Sequence, residues 1–161
     1  MVSAAASDKP ERLRIYFHPQ SGSPTARLDT RFGPMHLYVS QICDGIRTGL
    51  TRRYVLRTVE YQYTISDLPQ VEPMLRWEYI KFRPDPNARW ARHHLQGPIP
   101  VSFCNRPADL NDLHLPTGYV LLEEIIRFCI VDLGVPTLDA NWNKTLEDSE
   151  EKFKKSFAPG S

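Results

Sequence analysis

Residues Tyr54–Ile65 read YVLRTVEYQYTI. Val55, Val59, Tyr61, Tyr63 and Ile65 share one parity, and Thr58, Glu60, Gln62 and Thr64 share the other. A period of two places one face on a core and the other toward water. β-Branched and aromatic side chains favour the extended chain, so the stretch predicts a half-buried strand. Residues 66–73 are rich in turn formers and let the chain reverse. Leu75–Phe82, LRWEYIKF, is then the natural antiparallel partner.

On that partner Leu75, Trp77 and Tyr79 face one way, and Arg76 and Glu78 the other. Pro84 and Pro86 deny the segment a continuous ladder, so Arg83–Asn87 is expected as loop or edge. A third strand over Arg92–Gln96, RHHLQ, splits Arg92, His94 and Gln96 from His93 and Leu95. Parity thus separates the tandem histidines: His94 joins Arg76 and Glu78, while His93 packs inward with Leu95.

Upstream, Leu13–Phe17 predicts a short strand ended by His18-Pro19, and Leu28–Phe32 a second. Leu37, Val39, Ile42, Ile46 and Leu50 recur at close to helical spacing, which predicts a helix from about Met35 to Gly49. Downstream, residues 98–115 are irregular. Thr117 is the expected N-cap of a helix over Gly118–Leu133 that Gly134 and Pro136 end. That helix is apolar around most of its circumference, with a narrow polar stripe of Glu123, Glu124 and Arg127, and is expected to lie buried on the sheet. A last helix, Thr145–Phe157, carries Leu146, Phe153 and Phe157 on a thin stripe, with Thr145 and Asp148 as a capping box. It docks weakly, or onto a partner.

The expected architecture is therefore α+β in a single domain over residues 11–158, after a disordered N-terminus over 1–10. An antiparallel sheet of about four strands packs on one long apolar helix. A shorter helix in the N-terminal half and a C-terminal amphipathic helix complete it.

A chain of 161 residues suffices for one such core without disulfides or metals. Cys43, Cys104 and Cys129 are odd in number and lack ligand spacing, which argues for reduced thiols and against a structural zinc site. No apolar stretch has the length of a signal peptide or membrane span, so a cytoplasmic protein with no membrane association is expected. The net charge of +1 is unevenly spread: residues 1–106 hold 15 Lys and Arg against 9 Asp and Glu, and residues 107–161 hold 5 against 10. An arginine-rich face attracts phosphates. Alternatively the two halves attract each other.

The sequence contains no glycine-rich phosphate loop, HExxH, GxSxG or carboxylate cluster with metal-ligand spacing, which argues against an NTPase, a zinc protease and a two-metal nuclease. What remains is His94, His93, Arg76 and Glu78, with Lys81, Arg83 and Arg92 as substrate-binding cations and Asp85 nearby. Metal-independent RNA cleavage needs a proton acceptor for the 2′-hydroxyl, a donor for the leaving oxygen and cations for the phosphorane. Histidine fills either proton role and arginine the charge. The same residues also suit a solvated strand, and Trp77 and Trp90 suit a core or interface. His18, His36 and His114 are scattered and form a metal site only if the fold gathers them. No cofactor is expected.

The order of these features resembles the TumE-type toxins of toxin-antitoxin modules: Tyr61-x-Tyr63, a turn, Arg76-Trp77-Glu78, a Pro/Asp/Asn break, His93-His94-Leu95 and an Ile-rich helix. The resemblance spans Tyr54–Leu133 and departs from the family at Gln96, where a further histidine is expected, and at the Pro84–Asn87 segment. It implies a growth-inhibiting module with an antitoxin or other operon-encoded protein as partner, RNA as substrate, and functional roles for Arg76, Glu78, His93 and His94. The contrasting expectation is a non-catalytic interaction protein of a toxin-antitoxin or defence-type operon, with Trp90, Trp142, Phe153 and Phe157 at its interface.

Overall fold

A computed structural model of the chain describes residues 2–6, 12–17, 24–48, 53–69, 72–82, 85, 87, 90–103 and 106–156. Its centre is an antiparallel pair, β4 (Gly33–Thr48) and β5 (Arg53–Ser66). Outward from β4 lie β3 (Thr25–Thr30) and, further along the same edge, β2 (Arg12–Phe17), to which β1 (Val2–Ala6) adds. Outward from β5 lie β6 (Leu75–Ile80), β7 (His93–Gln96) and the two-residue β10 (Leu115–Pro116). The result is an eight-stranded sheet beside a separate hairpin of β8 (Pro100–Phe103) and β9 (Arg106–Asp109). Among the described residues two α-helices follow, α1 (Leu122–Val131) and α2 (Trp142–Ser156). The fold is α+β, its sheet twice the expected size.

The helix expected over Met35–Gly49 is instead β4, the longest strand. Leu37, Val39, Gln41 and Cys43 are all buried at a period of two, with Ser40 also covered on the opposite face. Gln41 hides that period in the sequence. It is a polar side chain at a core position, satisfied there because its amide donates to Thr58 Oγ1 at 2.8 Å and accepts from the Tyr63 hydroxyl at 3.3 Å.

A register shift at Ile42/Cys43 also corrects the parity of β5. Beyond this bulge Thr58 joins the buried face, 4% exposed, where strict alternation puts it with Glu60 in water. The strand expected over Leu28–Phe32 begins and ends earlier, since Arg31 and Phe32 form the turn between β3 and β4. Val2–Ala6, within the stretch read as disordered, pairs with β2.

The core joins Leu37, Val39, Tyr61, Tyr63 and Ile65 of the sheet to Ile125, Cys129 and Leu133 at α1. α1 starts four residues later than expected, and Thr117 does not cap it. Residues 117–120 are not helical: the Thr117 N–H donates to the His93 carbonyl and the Val120 N–H to the Tyr61 hydroxyl. The helix start is satisfied by Glu124, whose carboxylate accepts the Leu121 N–H at 2.7 Å. Gly134, at φ +73°, ends it as expected, in the left-handed region where glycine carries no Cβ penalty.

The polar stripe of α1 faces α2: Arg127 bonds Glu150 at 2.7 Å, and Glu123 accepts from Ser149. α2 starts at Trp142, and Lys144, not a capping box, engages Asp148. Leu146 is buried and Phe153 stacks on Tyr119 at 5.8 Å. Phe157 lies outside the described residues. Among the described residues, no helix is long and apolar enough to cross a membrane.

Candidate acid–base site

The register of β6 and β7 fixes what meets on each face. Glu78 is opposite His94 and Arg76 opposite Gln96 on one side of the sheet, while Tyr79 is opposite His93 and Trp77 opposite Leu95 on the other. Strand parity thus brings His94, Arg76 and Glu78 together and sends His93 to the core side.

His94 is 3% exposed. Its Nδ1 lies 2.9 Å from the Ala91 carbonyl oxygen, which only accepts, so Nδ1 carries a proton. Its Nε2 lies 3.4 Å from Glu78 Oε2. Arg76 Nε stands 3.2 Å from the same carboxylate oxygen but is not aligned for a hydrogen bond, leaving an ion pair with a buried, unbonded N–H. The Gln62 amide donates to Glu78 Oε1 at 3.0 Å. Burial alone pushes the Glu78 carboxyl up. The hydrogen bond from His94, the Arg76 charge and Gln62 outweigh it and hold the carboxyl below the usual carboxylate range.

Gln96 ties this set to a residue that spacing gave no reason to include. Its Oε1 accepts from the Arg76 guanidinium at 2.7 Å, which fixes the amide orientation; its Nε2 then donates to the Asn111 carbonyl at 3.1 Å and faces His114 Nε2 at 3.2 Å. With both amide hydrogens directed outward, His114 Nε2 accepts and its proton sits on Nδ1. Burial is the main cause that lowers the His114 pKa, with the field of His94 adding to it.

The rings of His94 and His114 are 4.9 Å apart, and Trp90 covers both, edge-on to His94 at 5.0 Å and stacked on His114 at 5.4 Å. His114 arrives from a 3₁₀ turn, Leu110–Asp112, and the pairing of β10 with β7. It lies eighteen residues beyond Gln96 in sequence, and only tertiary structure brings it to the site.

These groups border an open pocket of about 300 Å³ that includes Gln62, Glu78, Trp90, His94, Gln96 and His114. Arg76 stands behind the lining. Arg92 is exposed just before β7, and Lys81 is half-buried with its ammonium 5.1 Å from the Phe82 ring centroid. Asp85 accepts the Asn87 N–H at 2.8 Å in the adjoining turn. Arg83 and His18 lie outside the described residues. His36 sits on β4, opposite Arg27 and Ser66, and does not join His114. Among the described residues, no group of three His, Cys, Asp or Glu side chains could hold a metal.

His93 has a different environment. It stacks on Tyr79 with centroids 4.1 Å apart and planes 7° from parallel. Its Nδ1 lies 3.2 Å from the Tyr61 hydroxyl. That hydroxyl also accepts the Val120 N–H, which leaves its own proton available to His93 Nδ1. Burial pushes the Tyr61 phenol up to about 12 and, as the largest cause, lowers the His93 pKa. The buried thiols Cys43 and Cys129 are also raised by burial.

No family model, curated protein or solved structure matches this chain.

Proposed function

We propose that the pocket between β6, β7 and the 3₁₀ turn is an acid–base site for metal-independent RNA cleavage, in a toxin of toxin-antitoxin type with an antitoxin as partner. One observation carries this reading: two imidazoles with opposite hydrogen-bonding demands share one open pocket. His94 faces a carbonyl at Nδ1 and a carboxylate at Nε2, which suits two N–H donors and the role of general acid. His114 is held neutral and presents a lone pair at Nε2, the role of general base. In the reaction the 2′-hydroxyl replaces Gln96 at His114 Nε2, gives up its proton there and attacks phosphorus. The 5′-oxygen leaves with the proton from His94 Nε2, and the products are a 2′,3′-cyclic phosphate and a free 5′-hydroxyl. Glu78 and Arg76 position His94 and Gln96, and Arg92 supplies exposed positive charge beside the pocket.

The test is incubation of the purified protein with total RNA with and without a chelator. Cleavage that survives the chelator, leaves cyclic phosphate ends and is lost in His94→Gln and His114→Gln is expected. In cells, expression slows growth and His94→Ala relieves it. Absence of cleavage, or full activity in both variants, refutes the reading.

A second reading, a non-catalytic interaction protein, draws on a separate feature. An apolar groove of about 430 Å³ lies between β3, α1 and α2, with Trp142 in its lining and Leu138 fully exposed at its rim. Trp90 and Phe153, expected at such an interface, are engaged with His114 and Tyr119. Leu138→Asp separates the two readings: it abolishes partner binding under the second and leaves RNA cleavage intact under the first.

A further inference from the structure

Cross-strand pairing lines up side chains across the outward face of the sheet. Tyr16, Ser40, Gln62, Glu78 and His94 form one row over five strands. Tyr38, Thr64, Arg76 and Gln96 form the row on one side of it, and Arg14, Ile42, Glu60 and Ile80 the row on the other. With strands about 4.8 Å apart, the row from Tyr16 to His94 is about 19 Å long. Tyr16 and Tyr38 are half-buried, and Arg14, Arg27 and Arg57 are exposed on the same face. Core packing against α1 uses the opposite parity, that of Leu37, Val39, Tyr61 and Tyr63.

We infer that this outward face is a track for single-stranded RNA that leads along these rows into the His94 pocket, a step that rests on the acid–base reading above. Every base has a π-face that stacks on an aromatic ring, and every phosphate matches the fork of a guanidinium. A sheet face presenting Tyr16 and Tyr38 between Arg14, Arg27 and Arg57 offers both at once, with Arg27 exchanging its 3.3 Å ion pair to Asp29 for a phosphate. Unpaired strands are favoured because duplex bases already stack on one another, and sequence-tolerant recognition by aromatic side chains needs them splayed. The arginines of the track belong to the basic portion of the chain, residues 1–106, so the uneven charge acquires a function. The guanidinium groups are few, so binding is modest and salt-sensitive: each phosphate neutralised contributes about 0.7 to the slope of log affinity against log salt.

The experiment measures fluorescence anisotropy of a labelled 2′-O-methyl RNA of about 12 nucleotides against the intact chain, at salt from about 50 to 200 mM. Such RNA lacks the nucleophilic hydroxyl and is not cleaved, so binding is scored apart from chemistry. Tyr38→Ala weakens binding about tenfold, while Tyr38→Phe keeps it. Arg14→Gln with Arg57→Gln, both at exposed positions, lowers the salt slope by about 1.4 and preserves the fold by circular dichroism. Wild-type binding in the Arg14/Arg57 double variant, equal affinity for a duplex of the same sequence, or no binding by the parent protein overturns the track. Binding with the expected dependence by a protein that leaves unmodified RNA intact refutes the acid–base reading and upholds the track. Cleavage of unmodified RNA with unchanged binding in the variants does the reverse.

Discussion

Glu78→Gln isolates the electrostatic centre of the site. The carboxylate stands 3.2 Å from Arg76 Nε and 3.4 Å from His94 Nε2, and accepts from Gln62 at 3.0 Å. The amide keeps the shape and removes the charge, leaving a buried imidazole N–H and a half-buried guanidinium without their anion. A hydrogen bond to a charged group, as from His94, contributes about 1.5–3 kcal/mol, and an ion pair without hydrogen-bond alignment, as with Arg76, up to about 1 kcal/mol. Glu78 and Arg76 are both 27% exposed at the side chain, which tempers the two contacts together to about 2–3 kcal/mol. At about 2–4 °C per kcal/mol for a domain of this size, the melting temperature at pH 7 falls by about 4–12 °C.

The pH dependence gives a sharper check. Because the folded carboxyl titrates below the usual range, acid protonates the unfolded chain first, and stability rises with pH across that window. The contribution is complete above the unfolded value of about 4.3 and is lost as pH falls through the folded one. The gap between wild type and variant, measured by thermal unfolding under circular dichroism, therefore narrows below about pH 4.3. His93 and His114 titrate in both proteins and largely cancel in the difference. A variant that melts like wild type at pH 7, or a gap that persists undiminished in acid, refutes the assigned network.

Three further outcomes are expected. His93 has its folded pKa lowered, mainly by burial, so its contribution is full above about pH 6.5 and declines as pH falls; His93→Phe flattens the loss of melting temperature between pH 7 and 5 while RNA cleavage continues. Gly97→Ala places a Cβ 2.0 Å from the Met74 carbonyl oxygen, and chemical denaturation reads a loss at or above the top of the about 1–3 kcal/mol usual for overpacking. Ile125→Ala costs about 2–5 kcal/mol because that side chain is 2% exposed in the core. Ile126→Ala, on the half-buried groove side of α1, costs less, and the order of the two midpoints checks the orientation of the helix.

Local pattern made β5, β6 and β7 legible because their parity is set by large apolar side chains: Tyr61, Tyr63 and Ile65 face Tyr79, Trp77 and Leu75 across one surface. The same parity separated His94 from His93 and joined it to Glu78 and Arg76. The strand character of β4 is hidden because Gln41 occupies an apolar slot, where its partners Thr58 and Tyr63 satisfy it. Thr58 departs from alternation because the extra residue of the bulge, Val59, lies in β5 itself, and the sequence pattern there gives no sign of it.

Alternation and composition thus determined the central hairpin, the third strand and the face on which His94, Glu78 and Arg76 sit, since side-chain direction in a strand follows from chain geometry alone. The tertiary structure alone decided that His114, Gln96 and Trp90 close around them. Those contacts join segments whose approach depends on how β10 pairs with β7, and sequence spacing carries no trace of that pairing.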